Sequence, residues 1–139
     1  MPAPLATEAG YLLARAGGRA ISDLNRALQA HGLRSRHYTV LLVAAENGTL
    51  SQRDLGELLG IDPSAVVTIV DDLERDGLVL REPHPDDRRS RRIVATGKGR
   101  TRLAELTPLA RAVDDDLLGG LDADERQTLL DLVQRVAHG

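Results

Sequence analysis

The chain has no cysteine, phenylalanine or tryptophan, and only one methionine and two tyrosines. The lack of cysteine excludes disulfides, thiolate metal sites and thiol-based redox sensing in this chain. So few aromatic rings offer little for unpaired bases to stack on, which argues against a binder of single-stranded nucleic acid. No apolar run approaches the ~20 residues a membrane helix needs, so no membrane partner is expected. The start, Met-Pro-Ala-Pro-Leu, lacks the basic region and apolar block of a secretory signal, and a cytoplasmic location is expected. The four histidines (31, 37, 84 and 138) show no ligand spacing, so neither metal nor cofactor is expected. There is no nucleophile elbow, phosphate loop, paired-histidine motif or glycine fingerprint, which argues against an enzyme.

What is present is a set of helical stripes. The 139 residues, 42% hydrophobic and 28% charged, suit one folded, mainly α domain. Pro2 and Pro4 oppose helix at the start, and residues 1 to about 6 are expected to be frayed. Leu12, Leu13, Ala16, Ala20, Ile21, Leu24 and Leu28 recur at three- and four-residue steps, predicting a helix from about Thr7 to Ala30. Gly17-Gly18 interrupts it, either as a weak spot or as a close helix crossing. A second helix is expected from Arg36 to Glu46, with Ser35 as its cap and Tyr38, Leu41, Leu42 and Ala45 inward. Thr49-Leu50 reads as a short extended connector, a minimal third strand beside the hairpin that follows.

The stretch from Ser51 to Thr96 organises the rest. Ser51-Gln-Arg-Asp54 is a capping-box start, and Gly60 suits the left-handed stop of the short helix it opens. Asp62-Pro63 starts a second helix, to about Asp76, with Val66, Ile69, Val70 and Leu73 inward. Ser64, Ala65, Thr68, Asp71, Asp72 and Arg75 fall on its open side. Helix, tight glycine turn, helix is the outline of a helix-turn-helix. Leu78–Glu82 and Arg91–Ala95 then form a β hairpin around the turn chemistry of Pro83-His-Pro-Asp-Asp87, which makes a wing. Thr96 caps a long helix to about Leu118, with a kink or break expected at Pro108. Asp122-Ala-Asp-Glu125 caps a last helix to about Ala137.

Charge is unevenly placed. The net charge is −3, yet Arg81 to Arg102 carries eight basic residues against three acids, and Leu103 to the end carries eight acids against three arginines. A basic run on a hairpin behind a helix-turn-helix points to nucleic acid. The first helix and the last two add more apolar stripe than one such core can cover, so self-association is expected.

The order of helices, the wing and the run Asp87-Arg-Arg-Ser-Arg-Arg-Ile-Val-Ala-Thr-Gly-Lys-Gly99 resemble the MarR family of winged-helix transcription regulators. That family's wing signature, D-x-R-x5-L-T-x-x-G, reads here as Asp87, Arg89, Ala95, Thr96 and Gly99, with alanine at the usual leucine. Ser51–Gly60 and Leu73–Leu78 also match, and the likeness runs from about residue 8 to 136. The resemblance implies one domain over 1–139, a winged helix-turn-helix DNA-binding part at 33–96, and helical dimerisation parts at 7–31 and 97–138. It implies a homodimer on double-stranded DNA, of a kind that in many relatives is released by a small ligand; a repressor is the expected role, with an activator the alternative. The helix at Pro63–Asp76 would enter the major groove and each wing the adjacent minor groove, with Arg89 inserted and Asp87 bracing it or the hairpin.

The expected DNA contacts are Ser51, Gln52, Arg53, Ser64, Ala65, Thr68, Arg75, Asp87, Arg88, Arg89 and Arg91, with Arg92 a further phosphate candidate. Arginine suits a wing because its planar charged fork fits a narrow minor groove. The recognition helix is unusual, with five acids and one arginine from Asp62 to Asp76. Asp71 and Asp72 should repel phosphate unless turned away or paired with Arg75, so affinity is expected to come mainly from the wing. Arg15, His37 and Tyr38 are the effector-pocket candidates, with ordinary packing as the other reading of His37 and Tyr38. The competing function is a winged-helix module that binds protein rather than DNA.

Overall fold

A computed structural model describes residues 1–139. Six α-helices and one two-stranded antiparallel sheet follow in the order α1 (Ala9–Leu28), α2 (Ser35–Glu46), α3 (Gln52–Leu59), α4 (Pro63–Arg75), β1 (Val79–Pro83), β2 (Arg91–Ala95), α5 (Gly97–Leu117) and α6 (Ala123–His138). Local chemistry sets most of these ends. Ser51 and Asp54 exchange side-chain-to-amide bonds at the start of α3, and Asp122 and Glu125 do the same for α6. Asp62 accepts from the Ser64 amide and Thr96 from the Gly99 amide, capping α4 and α5. Gly60 ends α3 at φ 66°, in the left-handed region that glycine takes without strain.

The core lies between α2, α3, α4 and the hairpin, with Leu28 of α1 and Leu106 of α5 closing it. The predicted inward stripe of α4, Val66, Ile69, Val70 and Leu73, is buried. In the hairpin Val79 faces Ala95 and Pro83 faces Arg91, and Ile93 is buried. Ser51 bridges Arg92, and the Ile93 amide donates to Leu50 O at 3.0 Å. The minimal third strand therefore exists, centred one residue later than Thr49-Leu50.

Several expectations change. Residues Ala3–Thr7 form a 3-10 helix, since Pro2 and Pro4 fit a first turn whose amides have no partner to lose. Ser35 is the first residue of α2 rather than its cap. Its amide is taken by Asn25 Oδ1 (2.7 Å), and the Arg34 amide donates to His37 Nδ1 (3.0 Å). The inward face of α2 is Val40, Leu41 and Ala44, rotated from the predicted one. The run Val-Leu-Leu-Val-Ala-Ala is apolar on every side, so periodicity could not choose a face. α1 runs unbroken through Gly17-Gly18, and a Cβ at either would meet nothing within 4 Å. No close helix crossing therefore occurs there within one chain. α5 also continues past Pro108, which lies on an exposed part of the helix where the freed carbonyl can reach water.

Candidate nucleic-acid interface

The wing is a hydrogen-bonded hairpin with a free basic tip. Asp87 Oδ1 accepts from the Arg89 amide at 2.9 Å, and its carbonyl takes the Ser90 amide. Asp87 thus braces the hairpin backbone, one of its two expected roles, and leaves the Arg89 guanidinium unpaired. The His84 ring accepts the Asp86 amide on Nδ1, so Nε2 carries hydrogen and donates to Thr49 O at 3.0 Å. That bond moors the tip to the segment before α3. Arg88, Arg89 and Arg91 are exposed, and no acid of the chain pairs with them. Arg92 is different. It stands opposite Glu82 across the hairpin and pairs with it at 2.9 Å, so its charge is partly engaged within the wing.

α4 solves its excess of acid from behind. Arg81 points inward from β1, following the alternation of buried Val79 and exposed Leu80. Its guanidinium donates to Asp71 Oδ1 (2.6 Å), Glu74 Oε1 (2.9 Å), Gln52 Oε1 (2.8 Å) and Val67 O (3.4 Å). One side chain, 21% exposed, therefore joins α3, α4 and the wing and offsets two of the acids. Asp72 has two partners, His37 Nε2 at 2.9 Å and Arg75 at 3.0 Å. Its carboxyl is held below the ordinary aspartate range, first by the bond from His37. Pairing with Arg75 was one of two ways these acids were expected to be kept from phosphate. Arg75 takes Asp72 only, and Arg81 takes Asp71.

The remaining predicted contacts divide. Ser64 and Thr68 are exposed on α4, with their hydroxyls on Asp62 Oδ1 and Ser64 O. Arg53 is exposed on α3 in an i,i+4 pair with Glu57, a contact easily given up for phosphate. Ser51 and Gln52 are partly buried, their oxygens engaged by the α3 cap and by Arg81. Ala65 is half-buried and, like Thr68, lines a cavity between α4 and the α1 and α2 helices. Sequence reasoning missed Arg81 and His84, and also Val67, an apolar residue 38% exposed on α4. The alternation of β1 carried the signal for Arg81. Nothing local marked His84.

Two cavities lie where α1 and α2 meet α4 and α5. One, of about 710 Å³, is lined by Tyr38, Leu42, Leu24, Ile61, Val113 and Arg111, among others. The other, of about 620 Å³, is lined by Arg34, Arg36, His37, Thr68 and Asp72, among others. Tyr38 and His37 thus both face cavity space, although His37 is also spent on capping α2 and tying it to α4. Arg15 lines neither and lies on an exposed part of α1.

A family model described as MarR family matches residues 31–90, from the turn between α1 and α2 into the wing tip. A protein of Thauera aromatica described as a transcriptional regulator for the hcr operon is 32% identical over 133 residues, covering 95% of this chain and 80% of that protein. The chain belongs to the MarR family. A MarR-family transcriptional regulator from Rhodococcus sp. RHA1 superposes with a TM-score of 0.90 at 35% identity, over 96% of this chain and 94% of that one. CouR from Rhodococcus jostii RHA1, solved bound to p-coumaroyl-CoA, gives 0.86 at 36% identity with the same coverage. These MarR-family structures match the helical order and the two-stranded wing described above.

Proposed function

We propose that this MarR-family chain is a cytoplasmic, homodimeric repressor that binds double-stranded DNA in a sequence-specific way and acts by occupancy, not catalysis. In this reading residues 33–96 are the DNA-binding part, and 7–31 with 97–138 form the dimer. α4 enters the major groove and each wing the flanking minor groove. The observation that carries the reading is the wing tip, where Arg88, Arg89 and Arg91 are exposed, unpaired and held on a braced turn. Arg89 is the inserted side chain, while Arg88, Arg91 and Arg53 serve phosphates. Ser51 and Gln52 add polar contacts at the start of α3. Ser64, Thr68 and Arg75 face the bases, with Val67 available for a thymine methyl.

Dimerisation is supported by apolar surface with nothing to cover it. α6 has no buried residue, and Leu130, Leu132 and Val136 are about half exposed or more. Tyr11, Leu12 and Leu13 of α1 are exposed as well. Such faces stay wet in a lone chain and are covered by a second copy. The cavities beside Tyr38 and His37 hold the effector whose binding releases DNA.

The test is duplex binding by fluorescence anisotropy at several salt concentrations. A DNA binder weakens steeply with salt through counterion release, by a log–log slope of about −0.9 per phosphate neutralised. Negligible binding at low salt would favour a protein-binding module instead. Sedimentation of a monomer at micromolar concentration would overturn the dimer.

A further inference from the structure

A second group of cations lies at the base of the hairpin, away from the wing tip. His31 and Gly32 from the turn after α1, Arg75 and Asp76 from the end of α4, and Lys98 and Arg102 from the start of α5 line a hollow of about 490 Å³. No lining residue is hydrophobic, and three fixed cations face a single acid. The end of α4 accounts for one of them. Its last carbonyls carry partial negative charge, and Lys98 answers it by donating to Asp76 O at 2.8 Å, beside the left-handed turn at Gly77. Arg102 and His31 are left over. Arg102 meets Glu105 only at 3.6 Å, a long contact for an ion pair, and His31 has no acidic partner. Arg75 pairs with Asp72 at 3.0 Å, but its side chain is 71% exposed, so the pair yields readily to a competing anion.

A small metabolite needs an apolar wall to bury its body, and this hollow offers none. It suits an anion presented by something larger, and α4 indicates which. The 13 residues of α4 make a helix about 20 Å long, against a major groove about 12 Å wide. A helix that enters start-first across such a groove brings its far end out at the phosphates on the rim. We propose that the hollow between Arg75, Lys98 and Arg102 holds a backbone phosphate of the duplex where α4 leaves the major groove. This rests on the duplex-binding reading above and adds a contact to it. The wing tip cannot make that contact. β1, five residues of strand, sets the tip about 16 Å from the hollow. Lys98 and Arg102 therefore clamp a phosphate at the hairpin base, while the tip arginines take the main share of the charge at the other end. Such a contact carries no base information and sets how deep α4 sits.

Duplex binding by the full chain, titrated with salt, tests the contact. The Lys98→Gln, Arg102→Gln double variant should bind unrelated duplexes roughly fivefold or more weakly, with a log–log slope shallower by about 0.9 for each phosphate released. Lys98→Arg with Arg102→Lys keeps the charge and should keep the slope. A purely structural part for Lys98 at the end of α4 would lower affinity or the thermal midpoint and leave the slope unmoved, which would overturn the proposal. Arg102→Gln alone covers the case in which the double variant fails to fold, since it gives up only the long contact to Glu105, and it too should flatten the slope. A second arm adds inorganic pyrophosphate to the chain without DNA in a calorimeter. Binding there that Lys98→Gln abolishes, with the duplex slope unchanged, would give the hollow to a free phosphate compound and overturn the proposal. Failure of the duplex-binding reading shows differently, as no salt-dependent binding by the unaltered protein, and takes this contact with it.

Discussion

The wing tip and α4 are joined by a single strand, yet they carry opposite charge and are held in opposite ways. At the tip, three arginines are left without acids, and Asp87 and His84 spend their bonds on the backbone beneath them. On α4, Asp71, Asp72 and Glu74 are each drawn to a cation, two of them by Arg81 from the wing side. The difference shows that formal charge per helix is a poor guide to what a surface offers DNA. What counts is the charge left over after internal pairing. On that measure the tip is strongly basic and α4 is close to neutral.

The comparison can be broken most severely at the base shared by both regions. Gly99, buried in the first turn of α5, lies so close to Leu78 that an added Cβ would overlap the Leu78 carbonyl. Gly99→Ala should cost about 2–3 kcal/mol by forcing the hairpin base away from α5, read as a lower denaturant midpoint. An unchanged midpoint would show that the wing base is not seated there.

Arg81→Ala should come next. It frees two carboxylates to face phosphate and should weaken duplex binding by about 1–2 kcal/mol, roughly tenfold. Adding Asp71→Asn and Glu74→Gln should restore much of that affinity, since the repelling charges are gone. No recovery would mean that Arg81 acts through shape alone.

A smaller effect appears in acid. The carboxyls of Asp54, Asp62 and Asp72 all sit below their ordinary range, held by bonds from Ser51, Ser64 and His37 respectively. A depressed carboxylate stabilises the fold above its unfolded value and loses that contribution as pH falls through the folded one. These groups should therefore leave stability flat from neutral pH down to the ordinary aspartate range and lower it below. Asp72→Asn should make the acid side of a pH–stability curve shallower, and an unaltered curve would contradict the role given to the His37 bond.

Much of this was legible in the residues. The caps at Ser51, Asp62, Thr96 and Asp122, the inward stripe of α4 and the wing turn follow from local chemistry, and the structure has them. The pairing of the acids was not legible. Asp71 and Arg81 are ten residues apart, and His37 and Asp72 thirty-five, so only the packed fold brings them together. The face of α2 was hidden for another reason, because a helix apolar all round has no preferred side. The cavities were not legible in the residues; of the three pocket candidates taken from the family likeness, Tyr38 and His37 line cavity space and Arg15 does not.

The central claim is that the unpaired wing arginines supply the salt-dependent part of DNA affinity. It is tested most directly by the salt slope of duplex binding for Arg89→Ala beside the unaltered protein. The account predicts weaker binding across unrelated sequences and a slope shallower by about one unit for each phosphate that a wing no longer neutralises. Unchanged affinity and slope would remove Arg89 from the interface and contradict the account.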